Sequence, residues 1–417
     1  MNARARHVAA VGAGNALEFY DFLTYAFFAA QIGRAFFPSD DPTTSLLASL
    51  ATFGAGFLMR PVGGFVIGRI GDRIGRKPAM LLSFTLMGVA MIALALTPSY
   101  AAIGVAAPVL VILARLVQGF ALGGEVGPST AFMVEAAPPG RRGLFVSLQY
   151  VTQQAAVLAS GLVGLALSAS LSDAQVDAWG WRAAFLLGAV IVPFGFALRR
   201  SLPETLHETP ELDEVGAPKV AAWVLVVLGL AILTGGTVVT YVLNYLKTYA
   251  SETLHLSSTA AFGAVVATGL TGMVVSPIGG ALSDRWGRKA VMIPPLIVLL
   301  VIAVPVFEWV VRARSGVALI GGAIALQTMQ CLAAPSALTA LTEGLSRRIR
   351  AGALGLTYAV AISVFGGSTQ YNVAWLTRAT GSPMTPAWYM TAGVAVALIA
   401  MLFMPETAPR RRGQALP

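Results

Sequence analysis

Five ionisable residues stand inside runs of sequence that are otherwise apolar. Glu18 and Asp21 fall in the first run, Arg60 in the second, and Arg115 and Glu125 in the fourth. A charge near the centre of a bilayer costs about 2.5–3.5 kcal/mol on insertion scales, so each needs a partner or a task. Glu18 and Asp21 are three residues apart and share a helix face. Arg115, Gln118, Leu122, Glu125 and Ser129 follow helical spacing and make one polar stripe. At 1.5 Å per residue, Asp21 and Arg115 reach roughly the same depth, about 14–20 Å from their respective faces. A guanidinium fork suits a carboxylate. These types at this spacing suit anion capture with proton exchange: an anion on Arg115 releases Glu18, Asp21 or Glu125 to take a proton. The alternative is a static arginine–carboxylate pair that only holds helices together. That alternative also applies to Glu125 with Arg60.

The elements that would hold these residues are membrane-spanning helices. The chain has 417 residues, 56% hydrophobic and only 11% charged. Soluble domains carry about 25% charged residues, so there is too little polar surface here for a water-facing shell. Apolar runs recur at about 20 residues, the length that crosses the hydrocarbon layer as helix. They do not alternate with period two, which argues against a barrel. Twelve helices are expected, at 8–30, 46–69, 78–97, 106–134, 143–170, 183–199, 220–247, 258–283, 290–309, 316–342, 351–376 and 385–404. The fold expectation is therefore an all-α membrane protein. The first run, with its two acids, reads as a retained span rather than a cleaved leader.

Net charge is +9, and placement explains it. With the N-terminus inside, inner loops and tails hold twenty of the 28 Lys and Arg residues, outer segments six, and Arg60 and Arg115 lie within spans. That excess places both termini in the cytoplasm and sets the basic side against an anionic leaflet rather than a nucleic acid. The three histidines lie in tails or loops, there is one cysteine, Cys331, and no HExxH, GxSxG or phosphate-loop pattern occurs. Neither an enzyme nor a cofactor is expected.

The chain repeats itself. GRIGDRIGRK, Gly68 to Lys77, returns as GALSDRWGRK, Gly280 to Lys289, with six of ten positions identical. Pro203–Thr205 returns as Pro405–Thr407, and Glu135 with Arg142 returns as Glu343 with Arg350. The expected organisation is a six-helix bundle over 1–199, an acidic cytoplasmic linker over 200–219 and a second bundle over 220–417. Duplicated halves in the same orientation suit alternating access. Gly75 and Gly287 suit a tight turn.

These motifs resemble the major facilitator superfamily. Gly68-x3-Asp72-Arg73-x-Gly75-Arg76-Lys77 and its copy are similar to the superfamily's cytoplasmic signature, and Arg115-x2-Gln118-Gly119 to its fourth-helix motif. Gly14–Phe22, Gly56–Gly64, Val117–Thr130, Trp179–Phe185 and Phe365–Tyr371 resemble the metabolite:proton symporter branch, most of all its citrate–proton and 2-oxoglutarate carriers. The resemblance implies a cytoplasmic gate that latches the halves in the outward-open state, built from Asp72, Arg73, Arg76, Glu135, Asp284, Arg285, Arg288 and Glu343. Glu135 would pair with Arg76 and Glu343 with Arg288.

Arg115 is expected to be the main anion ligand, with Gln118, Tyr20, Gln153, Tyr241, Asn244, Lys247, Gln327, Gln330 and Tyr358 as further cavity-lining candidates. Interhelical hydrogen bonding is the alternative for the amides and phenols. Lys247 is either a second carboxylate ligand or an interfacial residue reaching outward. Glycines around Gly119 and Gly123 suit close helix packing. The functional expectation is a monomeric proton symporter importing a di- or tricarboxylate across a bacterial cytoplasmic membrane. A zwitterionic osmolyte or a shikimate-like acid is the alternative cargo, and a channel or receptor the alternative class.

Overall fold

A computed structural model describes residue 16 and residues 19–123, 133–134, 137–138, 140–200, 221–345 and 347–408. Among these residues the chain is helical, with no strand. Twelve rods follow in order. α1 comprises 19–27 and Ala29–Phe36, with a turn at Phe28. α2 is broken at Met59 into Pro42–Leu58 and Arg60–Arg73. Then come α3 (Arg76–Leu96), α4 (Ala106–Leu122), α5 (Arg142–Ser170) and α6 (Trp181–Arg200). The second set is α7 (Ala222–Thr248), α8 (Ser258–Trp286), α9 (Arg288–Ala313) and α10 (Gly316–Gly344). α11 runs Arg347–Ala361 and Gly367–Thr380 with a π turn at Ile362–Gly366 between them, and α12 is Thr385–Phe403. Nine described helices are long and apolar enough to cross a membrane.

The helices outrun the expected spans. α2 starts at Pro42 rather than 46 because Asp41 accepts the Thr43 N–H and Pro42 needs no donor partner in the first turn. α9 begins at Arg288 and α8 ends at Trp286, so only Gly287 interrupts them. Hydropathy marks the lipid layer, whereas hydrogen bonding marks the helix end, and helices continue into the charged turns. The expected fourth helix is described to Leu122, and its part beyond 123 lies largely outside the described residues. The linker expected at 200–219 lies outside them except for Arg200.

Gly75 and Gly287 occupy the same place in the two repeats, before α3 and α9, with φ of 132° and 102°. An L side chain is strained there, which accounts for glycine in both copies. Packing falls into two buried apolar clusters, one drawn mostly from α1–α6 and one mostly from α7–α12. The sets meet where α5 lies on α8 and α2 lies on α11. Large apolar side chains such as Phe65, Trp223 and Phe403 face outward, as a lipid-facing surface requires.

Candidate functional site

The centre of the first helix set holds two arginines in a box of aromatic rings. α2 and α4 touch backbone to backbone: a Cβ on Gly119 would stand 1.6 Å from the Gly56 carbonyl oxygen. That approach brings Arg60 of α2 and Arg115 of α4 to the same set of rings. The Arg115 guanidinium lies 4.4 Å from the Tyr25 ring centre, 5.3 Å from Phe53 and 5.5 Å from Phe22. Arg60 lies 4.2 Å from Phe57 and 5.1 Å from Phe22. The rings pack on one another, and Tyr241 of α7 closes the box from the other helix set, 5.6 Å from Phe57 and 6.1 Å from Phe22. A desolvated cation held on ring faces gains about 2 kcal/mol, so the box holds its cations without neutralising them.

The polar bonding of this centre is incomplete. Arg115 is 1% exposed and Asp21 is fully buried. Arg115 Nη1 donates to Gln118 Oε1 at 2.5 Å, one turn along its own helix. Among the described residues, Arg115 Nε, Gln118 Nε2, Arg60 Nε and both Asp21 oxygens have no hydrogen-bond partner. Asp21 and Arg115 sense each other's charge through space, but no ion pair forms between them. Buried polar groups are normally satisfied, so a cluster of orphans in one place asks for an explanation.

The other candidates divide. Tyr20 donates its hydroxyl to the Ala184 carbonyl of α6 at 2.9 Å, so its polar atom is engaged within the first helix set. Gln330 donates to the Gly236 carbonyl at 3.2 Å and Gln327 to Cys331 Sγ at 3.1 Å, both within the second set. Tyr358 lies against Gln153 of α5, across the interface. Asn244 is buried on α7, three residues from Tyr241. Lys247 is 1% exposed, with its ammonium 5.2 Å from the Phe262 ring and 5.8 Å from Phe28. It does not reach toward lipid. It faces the interface about 9 Å outward of Tyr241. Glu18 and Glu125 lie outside the described residues.

At the end of the helices that carries the charged turns, Asp284 and Arg288 of the second turn are both engaged. Asp284 accepts the N–H groups of Gly143 and Leu144, at 2.8 and 2.9 Å, from the start of α5 in the other set. Arg288 donates to Asp284 at 2.8 Å and, through Nε and Nη2, to both oxygens of Glu343 at 3.0 Å. Arg142 approaches Glu343 at 3.6 Å and Thr407 donates to it at 2.8 Å. Arg73 and Arg285 are exposed. The side chains of Asp72 and Arg76 are not among those described, and Glu135 lies outside the described residues.

Two ion pairs lie at the opposite end of the helices. Arg34 pairs with Asp177 at 2.7 Å and reaches Glu252 of the second set at 3.8 Å. Arg378 of α11 pairs with Asp41 at the start of α2 at 2.7 Å. Hydrogen bonds from Thr43 and Thr44, with Arg378 beside them, hold the Asp41 carboxyl below the usual aspartate range. Contacts between the helix sets thus lie on both sides of the arginine box along the helix axes. No signal in the sequence pairs these residues, because each partner lies in a remote part of the chain.

A family model described as Major Facilitator Superfamily matches residues 14–369. The chain is 37% identical over 415 residues to the alpha-ketoglutarate permease of Escherichia coli (strain K12), covering 96% of this chain and 94% of that one. It is 34% identical over 408 residues to the citrate-proton symporter of Klebsiella pneumoniae, with 96% and 92% covered. It is 32% identical over 424 residues to the proline/betaine transporter of Escherichia coli (strain K12), with 97% and 84% covered. The xylose transporter XylE from E. coli, in a partially occluded inward open conformation, shares the fold with a TM-score of 0.80 at 15% identity over 100% of both chains. These relatives and this fold are those of transporters, not enzymes. The chain is a multi-pass membrane transporter belonging to the major facilitator superfamily.

Proposed function

We propose that the chain is a proton symporter that imports a small di- or tricarboxylate, such as citrate or 2-oxoglutarate, across a bacterial cytoplasmic membrane. One observation carries the reading: two buried arginines share an aromatic box beside Asp21, whose carboxyl oxygens have no bonding partner among the described residues. A carboxylate cargo supplies the anion that the guanidinium groups lack. A proton supplies the neutralisation that Asp21 lacks. Cargo on Arg115 weakens the pull of that arginine on Asp21, which then takes the proton, and the two fluxes are tied. Glu18 and Glu125 are the other acids in this role.

The energetics point the same way. Moving one negative charge into a negative cell costs about 2.3 kcal/mol per 100 mV. A di- or tricarboxylate needs co-transported protons to offset that. Betaine is the competing cargo, given the relative named a proline/betaine transporter. A quaternary ammonium is caged by aromatic faces, and here Arg60 and Arg115 already cover Phe22, Tyr25, Phe53 and Phe57. Two fixed cations would repel a third.

In this reading the six-helix halves are 1–199 and 220–417, joined by 200–219, with both termini cytoplasmic and the monomer as working unit. Gln118, Tyr241, Asn244 and Lys247 line the path. Asp284, Arg288 and Glu343 form the described part of a cytoplasmic gate. The test is uptake into proteoliposomes of labelled citrate, 2-oxoglutarate and glycine betaine. An inward proton gradient is expected to drive carboxylate accumulation. Arg115→Ala is expected to lower it at least about 100-fold, the loss of one charged, desolvated contact, with the protein still monodisperse. Betaine uptake without carboxylate uptake would refute the assignment.

A further inference from the structure

Pro61 creates a defect in α2 that a different helix repairs. In a helix each carbonyl accepts the N–H four residues on. For Phe57 that residue is Pro61, which has no N–H. The helix breaks at Met59, and Arg60 emerges immediately after the break. The Phe57 carbonyl is not left unpaired. The Ser363 hydroxyl of α11 donates to it at 2.8 Å, across 306 residues of sequence and across the interface between the helix sets.

The surroundings make this contact specific. Ser363 lies in the π turn Ile362–Gly366, an irregularity that turns the helix face out of α register. On one side of it, Gly54 of α2 and Gly367 of α11 are in backbone contact, since a Cβ on Gly54 would stand 2.5 Å from the Gly367 oxygen. On the other, Gly366 lies against the Tyr241 ring, the same ring that closes the arginine box. Phe57 itself carries the Arg60 guanidinium on its ring face at 4.2 Å. The residue whose carbonyl is repaired from α11 therefore also seats one of the two buried cations.

We propose that Ser363 is a positioning residue for the anion site: from across the interface it supplies the donor that Pro61 withholds, and so fixes the direction in which Arg60 leaves the α2 break. The proposal rests on the carboxylate reading only through the part Arg60 takes in that site. Without the hydroxyl, the buried Phe57 carbonyl keeps only a poorly aligned approach from the Met59 N–H, two residues along its own chain, in place of the bond that Pro61 withholds. The break relaxes, and Arg60 loses its seat on Phe57. With proline replaced by alanine, α2 closes the carbonyl itself and Ser363 becomes dispensable.

A double-mutant cycle reads this directly. Citrate uptake is measured in proteoliposomes for the parent, Ser363→Ala, Pro61→Ala and the double variant. Ser363→Ala is expected to raise KM for citrate about 5-fold with turnover within about twofold, the signature of a disturbed binding group. Ser363→Thr keeps a hydroxyl and is expected to restore parental KM. In the Pro61→Ala background, Ser363→Ala is expected to shift KM by less than about 1.5-fold. An equal shift in both backgrounds, no shift in the parent background, or a threonine variant as impaired as alanine would each overturn the proposal. The same four proteins are melted without citrate. Their Tm changes are expected to be non-additive in the same sense, and additive changes would refute the bond. Absence of citrate uptake by the parent refutes the cargo and leaves the melting cycle to judge the bond. Should Pro61→Ala not fold, the threonine–alanine contrast at 363 decides.

Discussion

Arg115 and Arg288 are both 1% exposed, and they keep opposite company. Arg288 meets two carboxylates and a hydroxyl, and its neighbour Asp284 is further satisfied by two backbone N–H groups of α5. Arg115 meets one amide oxygen and three ring faces, while Asp21, the acid whose charge it senses, has no bonding partner among the described residues. A saturated ion cluster has no capacity for a ligand and is suited to holding two helix sets together. An unsaturated one has capacity by construction. The described residues thus saturate one buried arginine and leave the other unsaturated. In the proposed reading, the closed contact around Arg288 is the rigid seal and the open valence at Arg115 the exchangeable site, kept apart as alternating access requires.

The largest effect should separate the two arginines by stability. Arg288→Ala strips the partner from Asp284 and Glu343, both nearly fully buried. Removing one member of such a cluster costs about 3–5 kcal/mol. Arg115→Ala removes ring contacts and one hydrogen bond, for which about 2 kcal/mol is the expected cost. Thermal unfolding in detergent should therefore rank Arg288→Ala well below Arg115→Ala, whereas transport should rank Arg115→Ala as the more damaged per folded molecule. Equal melting losses would erase the distinction.

Asp21→Asn sharpens the other side of the comparison. The carboxylate gains nothing from hydrogen bonds to the described residues, so an amide of the same shape should shift stability by no more than about 1 kcal/mol. Its transport effect should be selective. Exchange of labelled for unlabelled carboxylate should persist, because it needs no net proton movement. Accumulation against a gradient should fail. A variant that still accumulates cargo on a proton gradient would take the carrier role from Asp21 and leave it to another acid.

These contrasts were legible in the sequence to unequal degrees. Asp21 and Arg115 stand out because a charge in an apolar run is costly wherever the chain folds. Gly75 and Gly287 stand out because the repeat places glycine where the backbone takes positive φ. The pairing of Arg288 with Glu343 was legible only through the family resemblance, which implied it. By contrast, the Ser363 contact joins a π turn to a proline break 306 residues away, and neither irregularity has a sequence signal that names its partner. Tyr20 shares the polar neighbourhood of Asp21 in sequence, yet its hydroxyl is turned to Ala184, a direction set by α6 packing. The ion pairs of Arg34 and Arg378 were visible only as charges, since ion pairing needs proximity that hydropathy does not encode.

The smallest effect tests how far the saturated side extends. Glu406, in the second copy of the Pro-Glu-Thr motif, accepts N–H groups from Arg288, Lys289, Thr407 and Ala408 at 2.9–3.0 Å. It caps α9 at the residue that carries the ion cluster. Burial pushes its carboxyl upward, but the four N–H groups outweigh that and hold it below the usual glutamate range. A depressed value in the folded protein means that the charge stabilises the fold above the unfolded pKa, near 4.5. That contribution is lost as pH falls through the folded value. Glu406→Gln keeps one accepting oxygen and presents an NH2 group to the other donors, so it should cost about 1 kcal/mol at pH 7. The melting difference between parent and variant should stay level from pH 8 to about 5 and narrow only below the ordinary glutamate range. A difference that widened on acidification would mean that the carboxyl is held as the neutral acid, and the cap on α9 would not belong to the charged cluster.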